Sequence, residues 1–88
     1  MISEKDKKNI LKLSEKYKAK KVFLFGSGCT SKKSHDIDLG VEGVPNSIFF
    51  KFYSELIFSL SKPVDLVDLG KKSRFNDLIL SEGTLLYG

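Results

Sequence analysis

The chain has 88 residues, enough for one domain and one modest hydrophobic core. Charged residues make up 30% and hydrophobic residues 41%, a globular profile, and no apolar run approaches the length of a membrane span. The net charge of +4 gathers at the start, where residues 1–21 hold eight lysines against Glu4, Asp6 and Glu15.

Ser3, with Asp6 three residues on, opens the chain like a capping box in which Asp replaces the usual Glu or Gln. Ile10, Leu13, Ser14 and Tyr17 then recur at helical spacing, which predicts an amphipathic helix over residues 4–19. The run KVFLF, residues 21–25, reads as a buried strand ended by Gly26. DIDLGV, residues 36–41, alternates and predicts a second strand. Pro45 and Asn46 mark a turn before a helix over about 47–61, which Pro63 stops. VDLVDL, residues 64–69, predicts a third strand. Ser73 caps a last helix running to about Ser81, and TLLY adds a short edge strand.

This order predicts an α/β (α+β) domain spanning 1–88, with a small mixed β-sheet packed against helices. The segment between Ser27 and Asp36 is too short for a parallel crossover, so the first two strands should run antiparallel. The start "MISEKDKKNILK" lacks the pattern of a signal peptide. The single cysteine, Cys29, offers neither an internal disulfide nor a zinc cluster, and a cytoplasmic location is expected. The amino-terminal lysines suit a solvated helix face. They leave nucleic acid as a possible contact, although only Tyr17 interleaves with them.

Two acids in a segment built for burial require compensation. Alternation places Asp36 and Asp38 on one face of the second strand, roughly 7 Å apart, where their charges repel. A divalent cation relieves that repulsion, and magnesium suits a site of one or two carboxylates completed by water and phosphate oxygens. A third acid on a neighbouring strand extends such a site to the two-metal arrangement used at phosphorus. Asp65 and Asp68 both lie on the third strand but point to opposite faces, so at most one joins the pair. The turn Gly26-Ser27-Gly28 supplies backbone amides and a hydroxyl for phosphate oxygens. Each element alone is common: Gly-Ser-Gly in ordinary turns, Asp-x-Asp on solvated strand edges. Their order along one short chain is far more specific. Alternation points His35 away from the Asp face, and Cys29 has no histidine placed beside it, so neither is assigned chemistry.

With these motifs, the sequence resembles the nucleotidyltransferase superfamily of DNA polymerase β, and within it the minimal nucleotidyltransferases. LFGSGCTSKKSHDIDLGV is similar to the family's Gly-Ser…Asp-x-Asp signature, KPVDLVDL to its third-carboxylate strand, and LILSEGTLLYG to its C-terminal end. The resemblance implies that Gly26 and Ser27 hold a nucleotide triphosphate and that Asp36 and Asp38 bind both nucleotide and Mg²⁺. It further implies that Asp65 is the third metal-binding acid, and that the three acids are catalytic. The loop after Ser27 departs from the family pattern, with Gly28-Cys29-Thr30 in place of its Arg and small residues. By resemblance, the expected activity is transfer of a nucleotidyl group, AMP from ATP, to an acceptor hydroxyl. The expected partner is a helical HEPN-type protein, with this chain as the antitoxin of a toxin–antitoxin pair. The contrasting expectation is an idle module that neutralises such a partner by binding it.

The helix over 47–61 carries its own partner signal. Phe49, Phe52, Tyr53, Leu56 and Leu60 share one arc suited to the core, with Phe50 and Ile57 beside it. Phe58 falls on the opposite side, among Lys51, Glu55 and Lys62. Contact with another chain, a second copy or a helical partner, is expected there.

Overall fold

A computed structural model describes residues 2–25 and 36–88. Helix α1 spans Glu4–Lys16, followed by strands β1 (Lys21–Phe25) and β2 (Ile37–Glu42). Helix α2 (Asn46–Ser59) leads to β3 (Val64–Asp68), then α3 (Arg74–Glu82) and β4 (Thr84–Tyr87). The four strands form one mixed sheet in the order β3-β2-β1-β4. β1 pairs antiparallel with both β2 and β4, as the short β1–β2 connection requires, while β2 and β3 run parallel with α2 as the crossover.

The two faces of the sheet are covered unequally. Val22, Leu24, Ile37, Leu39, Val41, Val64 and Leu66 face α1 and α2, where Ile10, Leu13, Phe52 and Leu56 complete the main core. Each fully buried side chain of this size contributes about 1.5–3 kcal/mol. On the opposite face Phe23, Leu69 and Ile79 form a smaller cluster under α3, flanked by Phe25 and Val67. Gly40 belongs to this second face: a Cβ there would stand 2.9 Å from Leu69 Cδ1 and 3.1 Å from Ile79 Cγ2.

The helix ends differ from the sequence expectation for identifiable reasons. α1 stops at Lys16 rather than residue 19, because Lys18 adopts a left-handed φ of 57°. The Lys18 N–H then donates to the Glu15 carbonyl and the Ala19 N–H to the Ser14 carbonyl, a Schellman closure. At the other end Ser3 Oγ accepts from the Asp6 N–H, as expected of a cap. The Asp6 carboxylate does not return to Ser3. It is buried, and accepts instead from the Ser61 N–H at 3.1 Å and the Ser61 hydroxyl at 2.5 Å, tying the start of α1 to the chain after α2. α2 begins at Asn46 without a side-chain cap and ends at Ser59, with Leu60 extended and buried. Asp36 is a bend residue immediately before β2 rather than its first residue.

Candidate active site

β2 is the central parallel strand, and its alternation sends Ile37, Leu39 and Val41 into the main core. Asp38 is thereby directed to the opposite face, together with Gly40. In the parallel register Asp38 pairs with Asp65, and on its other side with Phe25 of β1. Adjacent strands lie about 4.8 Å apart, so two carboxyl-bearing residues stand side by side on one face with an aromatic neighbour. Asp36, two residues before Asp38, completes the group at the same end of the sheet.

Asp68 is elsewhere. Its register partner is Val41, and its carboxylate accepts from the Gly70 N–H at 2.8 Å. Its backbone carbonyl accepts from the buried Asn76 side chain at 3.1 Å, which fixes the turn into α3. Of the two acids on β3, Asp65 is the one the fold brings to Asp38.

Electrostatics mark the same place. Burial pushes the Asp38 carboxyl above its ordinary range, and the charges of Asp65 and Asp36 push it in the same direction. A half-buried acid flanked by two exposed acids holds its proton more tightly than a solvated one, and a cation between them would relieve the repulsion. All-oxygen donors of this kind suit Mg²⁺. As the side chains stand, no three His, Cys, Asp or Glu residues among the described residues are grouped closely enough to hold one metal ion. Gly26, Ser27, Cys29 and His35 lie outside the described residues.

The sequence reading passed over Phe75. Its ring meets that of Phe25 edge-on, with centroids 5.7 Å apart and planes at 80°. Phe25 in turn neighbours Asp38 in the register, so this pair forms an apolar wall beside the acids. The odd-position alternation of Phe23 and Phe25 on β1 was the available signal for half of that wall.

A mixed four-stranded sheet thus carries an antiparallel β1–β2 pair and acids brought together on adjacent strands at one sheet end. The chain matches the family Polymerase beta, Nucleotidyltransferase, over residues 8–88, and it belongs to that family. It is similar to a chain in the crystal structure of the toxin–antitoxin MntA–HepT, with 27% identity and a TM-score of 0.70 over 94% of this chain and 70% of that one. A toxin–antitoxin structure with AMP-PNP matches at 30% identity and a TM-score of 0.72, covering 93% of this chain and 73% of that one. A structure of tri-AMPylated Shewanella oneidensis HEPN toxin in complex with MNT antitoxin matches at 27% identity and a TM-score of 0.71, covering 94% and 70%. No curated protein matched the chain. No helix among the described residues is long and apolar enough to cross a membrane.

Proposed function

We propose that this chain, acting as one domain in the cytoplasm, is a magnesium-dependent nucleotidyltransferase that modifies a helical HEPN-type partner protein, as the antitoxin of a toxin–antitoxin pair. The observation that carries this reading is Asp65 standing opposite Asp38 in the parallel register, with Asp36 adjacent and the Asp38 carboxyl pushed upward. Membership of the polymerase β family supports it, as does likeness to chains crystallised with AMP-PNP and with an AMPylated HEPN toxin.

In the transfer, an acceptor hydroxyl oxygen bonds to the α-phosphorus of ATP while the bond from that phosphorus to the bridging oxygen breaks. Pyrophosphate leaves and a phosphodiester to AMP is formed. Asp36, Asp38 and Asp65 hold the metal side of the nucleotide, and one carboxylate of this group takes the hydroxyl proton. Gly26 and Ser27 bind the triphosphate by their resemblance to the family turn. When bound, Mg²⁺ supplies charge neutralisation at the phosphoryl oxygens. Phe25, which meets Phe75 edge-on, gives Asp38 an apolar neighbour on the β1 side.

Calorimetry of ATP binding in magnesium and in EDTA tests the reading, together with label transfer from α-labelled ATP to a HEPN-type protein. Binding that needs the metal, and transfer lost in Asp38→Asn, are expected. Equal ATP affinity in EDTA would remove the enzyme and leave the binding-only antitoxin.

A further inference from the structure

The helical side of the molecule carries a second feature, remote from the acids. α1 and α2 cover the main-core face of the sheet, whereas Asp38 and Asp65 lie on the other. On α2, Phe50, Ser54 and Phe58 recur four residues apart and form one outward stripe, two rings separated by a small residue. Phe50 is 79% exposed and Phe58 89%. With Tyr17, Lys51 and Glu55 they line a shallow groove of about 400 Å³.

Lysines of α1 run beside this groove. Lys5, Asn9, Lys12 and Lys16 share one stripe of α1 by helical spacing. Two members fix that stripe against α2: the Asn9 amide donates to the Ser59 carbonyl at 3.1 Å, and Lys16 Nζ reaches Glu55 Oε1 at 2.9 Å. Lys51 stands on the α2 side. The one acid lining the groove among the described residues, Glu55, accepts from the Tyr17 hydroxyl and from Lys16, and those hydrogen bonds hold its carboxyl below the ordinary range. Glu4 and Glu15 fall on the far side of the lysine stripe from α2.

We infer that the α1–α2 groove docks an amphipathic helix of a partner protein, with its apolar ridge against Phe50 and Phe58 and acidic residues on its flanks facing Lys12 and Lys51. The Phe50–Phe58 spacing of about 12 Å along α2 spans two turns, which matches apolar anchors on a facing helix. A second copy of this chain fits poorly, because a symmetric contact would place one set of lysines against another. A single-stranded nucleic acid would use the same charges but gains little from two rings held apart by Ser54. This inference deepens the partner side of the function proposed above and does not depend on the acids of the nucleotide site.

The test uses two labelled helical peptides of about 18 residues, each with leucine along one face, one flanked by glutamate and the other by lysine. NMR shift mapping on the full chain locates binding, and magnesium–ATP binding is measured on the same samples. Expected are saturable binding of the glutamate peptide with shifts centred on Tyr17, Phe50, Ser54 and Phe58, and no binding of the lysine peptide. Phe58→Ala should weaken that binding about tenfold or more. Its ring is exposed, so the fold and magnesium–ATP binding should be unchanged. A Lys12→Glu, Lys51→Glu double variant should exchange the peptide preference, a readout that loss of packing alone does not produce. Equal binding of both peptides, shifts centred elsewhere, concentration-dependent self-association through Phe58, or tighter binding of oligo(U) than of the glutamate peptide would each overturn the inference. Loss of magnesium–ATP binding with peptide docking intact would count against the nucleotide site and not against the groove.

Discussion

Asp38 and Asp65 stand opposite each other on adjacent parallel strands, directed to the face of the sheet that α1 and α2 leave uncovered. Asp68, three residues further along β3, pairs with Val41 and spends its carboxylate on the Gly70 N–H. The two acids of VDLVD therefore have separable effects. Asp65→Asn is expected to lower nucleotidyl transfer by about a hundredfold or more. Asp68→Asn keeps an acceptor oxygen for the Gly70 N–H and should leave stability within about 1 kcal/mol of the native sequence and most of the transfer intact. Steady-state transfer rates and denaturation midpoints for the two variants make the check. Transfer lost only in the Asp68 variant would show the wrong acid assigned.

The pH response of Asp38 can be worked out in sign. Its carboxyl is raised above the ordinary value of 3.8 by burial first and by Asp65 and Asp36 after it. The native state therefore holds this proton more tightly than the unfolded chain. Stability falls as pH rises from the unfolded value through the raised native one, and then levels off. In EDTA, Asp38→Asn should melt at a higher temperature than the native sequence at neutral pH, with the gap closing near about pH 3. Magnesium should narrow the neutral-pH gap by stabilising the native sequence. Thermal melts across pH, with and without the metal, provide the readout.

Asp6 is a structural acid. It is 2% exposed and accepts two hydrogen bonds from Ser61, joining chain positions far apart in sequence. Hydrogen bonds to a charged acceptor contribute about 1.5–3 kcal/mol each, with partial compensation when both are lost together. Asp6→Ala is expected to destabilise the fold by about 2–4 kcal/mol, seen as a lower urea midpoint at unchanged slope. Asp6→Asn keeps an acceptor oxygen and should lose less. A midpoint unmoved in Asp6→Ala would refute this role.

Lys18 offers a change in the other direction. It closes α1 in a left-handed conformation at φ 57°, a position that glycine occupies without a Cβ clash. Lys18→Gly removes about 1 kcal/mol of backbone strain, offset in part by the greater freedom of glycine in the unfolded chain. A rise in melting temperature of a few degrees is expected, with nucleotide binding unaffected. A lower melting temperature would show that the lysine side chain contributes more than its backbone costs.

Much of this protein was legible in the sequence because its signals are local. Apolar runs and alternation placed all four strands, and Ser3, Ser73 and Pro63 marked helix boundaries that hydrogen bonds of one turn decide. Alternation also put Asp38 on the face opposite Ile37 and Leu39, although Asp36 is a bend residue just before the strand, and the short segment before Asp36 required β1 and β2 to be antiparallel. Register is a different kind of fact. A slip of one residue would exchange Asp65 for its neighbour on the opposite face, and nothing in VDLVD alone forbids that slip. The β2–β3 register is held instead by the packing of Ile37, Leu39, Val64 and Leu66 against α1 and α2. Tertiary contact likewise turned Asp6 from a cap partner into a clasp on Ser61. Local periodicity settles which face a side chain takes. Only burial of distant residues together settles what stands opposite it.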